Sequence, residues 1–113
     1  MDSTEPLHYL SIDKAGSLIR AGKLSPVDLT ESYLERIDRL NPTLHSYISV
    51  NGDSARENAK AMDMEIARGH YRGPLHGIPI ALKDLVDTEG VATTYGSESF
   101  RDRVPSADAT LVT

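Results

Sequence analysis

The sequence predicts an α/β fold. Three stretches carry apolar residues at helical spacing, each opened by a capping or turn residue. Between and after them stand two runs rich in strand formers, "LHSYISV" at 44–50 and "IPIALKDLV" at 78–86. Glycine and proline fall at the joints, where they punctuate rather than interrupt.

The first helix is expected to begin at Ser11, whose hydroxyl can cap it. Ile12, Ala15, Leu18 and Ile19 lie on one face, and Gly22 is its stop. The second is written in "LSPVDLTESYLERIDRLNP". Ser25 is the cap, Pro26 suits the first helical position, and Asp28 meets the positive end of the helix dipole. Val27, Leu34, Ile37 and Leu40 keep helical spacing, with Tyr33 beside them. Asn41-Pro42 predicts the end of this helix, because a residue before proline avoids the α region. The connection between the two helices is short, which predicts that they pack as a pair.

Residues 44–50 are expected to form a strand. "NGDS" then turns into a third helix over about 54–68, with Ala55, Ala59, Met62 and Ile66 as its apolar stripe. Two of those positions are small, so something should approach the helix closely. Glu57 with Lys60, and Glu65 with Arg68, are placed to pair on its wet face, and Gly69 stops it. After the loop "HYRGPLHG", residues 78–83 read as a strand buried on both faces. Ile80 and Leu82 point one way, and Ala81 and Lys83 the other. Pro79, lacking an amide donor, belongs at the strand's start. "DTEGVATTYGSES" is an irregular hairpin or loop pivoting on Gly90 and Gly96. In "PSADATLVT", Ser106 and Asp108 can cap a new helix, but only about one turn follows. The chain therefore reads as the leading part of a longer fold.

Composition narrows the function classes. With 113 residues, 39% hydrophobic and 26% charged, the chain suits one small globular body. A net charge of −5, with no basic run, argues against nucleic acid or an anionic membrane as a main partner. The absence of cysteine excludes disulfides, thiolate metal sites and a thiol nucleophile. The first ten residues show neither a basic nor an apolar signal region, and no apolar run reaches membrane-spanning length. These features point to the cytoplasm.

Lys83 is the leading candidate for chemistry. An ammonium at the end of an apolar strand can simply reach out to solvent. It can also be held where its charged form is disfavoured, so that it works as a base near neutral pH. The residues alone leave both readings open. Thr93, Thr94, Ser97 and Ser99 offer hydroxyls, whose ordinary use is bonding to nearby backbone. "YGSES" is not a nucleophile elbow, since the second glycine is missing. Asp84, Asp87 and Glu89 cluster after Lys83 in a pattern better suited to turns than to a metal or an acid–base pair. His70 and His76 lack metal-ligand spacing, and His8 and His45 have no companions. No metal site is expected.

The stretch "GPLHGIPIALKDLVDTEGVATTYGS" at 73–97, followed by "DRVPSADATLV" at 102–112, resembles the amidase signature family. The helix "SPVDLTESYLERIDRLNP" resembles the family's leading helices. The likeness runs from about Leu24 to the end. It is strongest over 73–110.

The resemblance implies an α/β architecture with a large mixed sheet, of which this chain would supply the leading helices and first strands. Residues 1–113 would thus be the N-terminal part of a single domain. It implies hydrolysis of amide bonds by a Ser–cis-Ser–Lys triad, without a cofactor. Lys83 matches the lysine of that triad, which takes a proton through the middle serine from the nucleophilic serine. The two serines and the amides of the oxyanion hole belong to a Gly/Ser-rich region that this chain does not contain. The 113 residues alone are therefore expected to be inactive, with a small-molecule amide as substrate of the full-length protein.

Two other readings stand beside this one. The chain could belong to the glutamine-hydrolysing component of a tRNA-dependent amidotransferase, although Leu85 stands where such proteins tend to carry Asn after Lys-Asp. It could also be a non-catalytic piece that associates with a complementary chain, or with copies of itself, through exposed strand edges. A third possibility, a self-contained interaction domain with a structural Lys83, fits the abrupt ending less well.

Overall fold

A computed structural model describes residues 5–113. The chain divides into two compact units, Met1–Pro79 and Ile80–Thr113. The first contains a short 3-10 helix at Leu7–Tyr9 and three α-helices: α1 (Ile12–Arg20), α2 (Pro26–Leu44) and α3 (Gly52–Ala67).

The caps expected for α1 and α2 are in place. Ser11 Oγ accepts from the Lys14 amide at 3.1 Å, and Ser25 Oγ accepts from the Val27 amide at 3.1 Å. Pro26 opens α2, where its missing N–H costs nothing. Past the end of α1, the Gly22 amide donates to Ile19 and the Lys23 amide to Leu18, which satisfies carbonyls the helix leaves open. The core gathers Ala15, Ile19, Leu24 and Leu29, with Leu7, Leu10, Leu18, Tyr33, Ile66 and Ile78 packed around it. Ile12, expected on the buried face of α1, is instead 56% exposed, while Gly16 is buried in its place. At Gly16 an added Cβ would sit 2.9 Å from the Pro74 carbonyl oxygen, so the loop lies directly on the helix.

Asn41-Pro42 does not end α2. The helix runs on to Leu44, and His45 closes it in a left-handed conformation. Pro42 falls in the last turn, where few hydrogen bonds remain to be lost. The strand expected over 44–50 does not form. The Asn41 side chain holds Tyr47 from both sides, accepting from its amide at 2.9 Å and donating to its carbonyl at 3.0 Å. A side-chain amide thus takes the place of a neighbouring strand.

Helix α3 packs against α2 through its small-residue face, with Ala59 buried. The ion pairs expected within α3 are replaced by longer-range ones. Arg56 forks onto Glu31 of α2 at 2.8 and 2.9 Å. Glu65 takes Arg72, beyond the helix, through both its oxygens. Two parallel charge-assisted bonds are stronger than the single contact an i,i+3 neighbour offers.

The strand expected at 78–83, most of which falls in the second unit, is also absent. Among the described residues no other segment pairs with it, and the one bridge of strand type joins Thr88 to Val91. Ile80 is 67% exposed, so this run is not buried on both faces as expected. Order comes instead from two arms of loop lying side by side. The Gly90 amide donates to Pro105, the Thr93 amide to Arg103, and the Ala109 amide to Asp87, at 2.8–3.1 Å. A 3-10 turn, Glu98–Phe100, lies between the arms. The helix expected from Ser106 or Asp108 does not start. Asp108 Oδ1 accepts from the Glu89 amide at 2.7 Å, so the cap serves the opposite arm.

Candidate functional site

Lys83 lies in the second unit, with its side chain exposed. Its ammonium group makes no hydrogen bond or ion pair among the described residues, but its backbone is held. The Lys83 carbonyl accepts from the Val86 amide at 3.0 Å. The next residue, Asp84, is the hub of the unit. Its carbonyl accepts from the Tyr95 amide at 2.9 Å. Its carboxylate accepts from the Thr94 amide at 2.7 Å, from the Thr94 hydroxyl, and more distantly from the Gly96 amide at 3.4 Å. The Thr94 hydroxyl holds the Asp84 carboxyl below its ordinary pKa, helped by the Thr94 and Gly96 amides and opposed by burial.

The loop that Asp84 grips has an unusual backbone. The Ser97 amide donates to the Thr94 carbonyl at 2.9 Å, closing a four-residue turn. Its central residues, Tyr95 and Gly96, have φ of 55° and 68°, the pattern of a type I′ turn. Glycine takes this conformation freely, whereas tyrosine does so against steric cost. Tyr95 is fixed in it from several sides. Its hydroxyl donates to Asp87 Oδ1 at 3.1 Å, the Arg103 guanidinium stands 4.9 Å from its ring centre, and Phe100 meets it edge-on.

The other sequence candidates do not converge on Lys83 in one cluster. Thr93 is buried and its hydroxyl donates to the Val91 carbonyl, the ordinary local use. Ser97 and Ser99 contribute no side-chain hydrogen bond among the described residues. Asp87 is held by Arg103, which with the Tyr95 hydroxyl keeps its carboxyl below the usual range despite burial. Glu89 is exposed.

The histidines have structural partners. The His8 ring bonds to Arg36, His70 lies 3.9 Å from Glu65, and His45 caps α2. His76 is buried, accepting from the Arg72 amide at Nδ1 and donating from Nε2 to the Met62 carbonyl. No cluster of three metal-ligating side chains occurs among the described residues. Sequence reasoning missed Arg103 and Tyr95. Nothing local marks Arg103, because its partner Asp87 is sixteen residues away.

Comparison with known proteins bears on the same residues. The family profile described as Amidase matches residues 28–113. A protein of Mycobacterium tuberculosis designated amidase AmiD is 47% identical over 108 residues, covering 96% of this chain and 23% of its own. A glutamyl-tRNA(Gln) amidotransferase component of Desulforapulum autotrophicum is 45% identical over 107 residues, covering 95% of this chain and 22% of that protein. Among solved structures, the native peptide amidase of Stenotrophomonas maltophilia superposes with a TM-score of 0.86 at 36% identity. That match covers 95% of this chain and 22% of the enzyme. The chain thus spans about a quarter or less of the length of these relatives.

Proposed function

We propose, because this chain belongs to the amidase family, that it is the N-terminal part of a single amide-hydrolysing domain in which Lys83 is the base of a Ser–cis-Ser–Lys triad. One observation carries the reading. Lys83 stands in the "GIPIALKD" segment inside the matched region, which supports reading it as the triad lysine.

The chemistry asks for a base, because a serine hydroxyl is a weak nucleophile until its proton is removed. A lysine can accept that proton only when its ammonium form is disfavoured, by burial or by nearby positive charge. In this unit Lys83 is exposed, so the serine-bearing remainder of the domain would have to cover it. That remainder would also bring the nucleophile and the donors that stabilise the oxyanion, usually the largest contribution to acyl transfer. The substrate is a small-molecule amide and the working compartment the cytoplasm.

The test is amide hydrolysis by the full-length protein. Lys83→Ala should lower kcat by about 10²–10⁴-fold, the range for loss of a general base, while the thermal midpoint holds. Wild-type rates in that variant would remove Lys83 from the reaction. The 113-residue chain by itself should show no Lys83-dependent turnover.

The likeness to the amidotransferase component supports a second reading, hydrolysis of the glutamine side-chain amide. Glutamine as the preferred substrate, with release of ammonia enhanced by a partner protein, would favour it over a general amidase.

A further inference from the structure

We infer that Asp84 is a positioning residue for Lys83. It fastens the lysine's backbone to the Thr94–Gly96 turn and so sets the direction from which the lysine reaches the hydroxyl whose proton it takes. The inference rests on the proposed role of Lys83 as base and adds the residue that would hold it in register.

The geometry is one of convergence on a single residue. Asp84 binds the turn through its carbonyl, which takes the Tyr95 amide at 2.9 Å, and through its carboxylate, which takes the Thr94 amide at 2.7 Å together with the Thr94 hydroxyl. Main chain and side chain therefore clamp the same turn from one Cα. On the other side the Val86 amide ties down the Lys83 carbonyl at 3.0 Å. The main chain is consequently held on both sides of the Asp84 Cα, at the Lys83 carbonyl and at the Asp84 carbonyl, although the run before it is irregular and exposed.

The anchor is itself rigid. Tyr95 is in a left-handed conformation, and Asp87, Arg103 and Phe100 hold its ring and hydroxyl there. A residue kept at steric cost in a turn beside the candidate base is what a device for orientation requires. Asparagine could replace only part of the carboxylate's role. Its amide nitrogen cannot accept from the Thr94 hydroxyl or the Gly96 amide.

The test uses the full-length protein with Asp84→Asn, Asp84→Ala, Thr94→Val and the surface control Arg101→Ala, each followed by kcat, KM, pH–rate profile and thermal midpoint. A lysine displaced by about 1 Å should lower turnover on the order of 10²-fold. Asp84→Ala is expected to lose kcat to that degree with KM changed less than about threefold. Asp84→Asn and Thr94→Val should show smaller losses of kcat in the same pattern, with a displaced acidic limb in the pH–rate profile, where the base loses its proton, and Arg101→Ala should show none. If Asp84→Ala fails to fold, Asp84→Asn and Thr94→Val decide the matter alone. Wild-type kcat and an unchanged profile in those two variants, with Lys83→Ala inactive, overturn the positioning role and leave the base intact. A fully active Lys83→Ala overturns both.

Discussion

Arg103 and Asp87 meet in a two-pronged ion pair, with Nη1 and Nη2 each 2.8 Å from a separate carboxylate oxygen. Arg103 Nη1 also reaches the Thr93 carbonyl at 3.3 Å, and the Arg103 carbonyl accepts from the Thr93 amide at 3.0 Å. One arginine thus laces the two arms of the second unit by main chain and side chain together.

A lysine at that position supplies a point charge but not the fork. Arg103→Lys is therefore expected to raise the exchange rate of the Thr93 amide proton, and Arg103→Ala to raise it further. Equal exchange in all three proteins would show the main-chain ladder to be sufficient. The pair should also respond to acid. The Asp87 carboxyl titrates below its unfolded value because of Arg103, so its contribution is present above about pH 4 and is lost as pH falls through the lower folded value. In Asp87→Asn this acid-dependent step in Thr93 protection should vanish.

Gly77 has φ of +77°, and a Cβ built there would lie 2.7 Å from Pro26 Cγ. Gly22 has φ of +69° with nothing within 4 Å of its Cβ position. The two glycines separate backbone strain from crowding. Gly22→Ala should cost about 1–2 kcal/mol, the left-handed penalty alone. Gly77→Ala should cost about 2–5 kcal/mol, since overpacking against the ring of Pro26 is added. Denaturant midpoints of the two variants measure the difference, and equal losses would contradict the contact.

Ser25 serves two helices at once. Its hydroxyl oxygen accepts from the Val27 amide at the start of α2 and its proton goes to Asp63 of α3, at 3.3 Å. Ser25→Ala should cost about 1 kcal/mol or somewhat more, a cap lost together with a tie between helices. Asp63→Asn should cost less, because it leaves the cap in place. A Ser25→Ala loss no larger than that of Asp63→Asn would show the cap contributes nothing.

The helices were legible in the sequence because their signals are local. A capping serine, a proline at the first position and a glycine after the last turn act within a few residues. Ser11, Ser25 and Gly22 each stand where the sequence places them. The strands were not, because a strand exists only with a partner. "LHSYISV" and "IPIALK" have strand composition, but among the described residues neither finds a ladder neighbour. Pro42 misled for a related reason: the preference against helix before proline is real but small, and the last turn has little hydrogen bonding to lose. At the candidate site, Lys83 was found by its motif and by no pattern of charge. Arg103 and Tyr95 went unseen because their partnerships with Asp87 span sixteen and eight residues.

His8 gives the first unit a pH response of definite sign. Its Nε2 accepts from Arg36 Nη1 at 3.2 Å, a bond only the neutral ring can make. Burial lowers its pKa, and the positive charges of Arg36 and Arg39 lower it further. The unfolded chain, with a reference value of about 6.5, therefore takes up the proton before the folded one does. The contribution of the neutral ring is complete above about pH 6.5 and is lost as pH falls through the folded value. The thermal midpoint should accordingly drop between about pH 7.5 and 5.5, over a range where carboxylates remain ionised. His8→Gln keeps a hydrogen-bond acceptor but cannot titrate, so it should flatten that part of the curve. An unaltered slope in His8→Gln would place the response on another group. A midpoint already constant in the parent over the same range would show that the His8–Arg36 bond does not stabilise the unit.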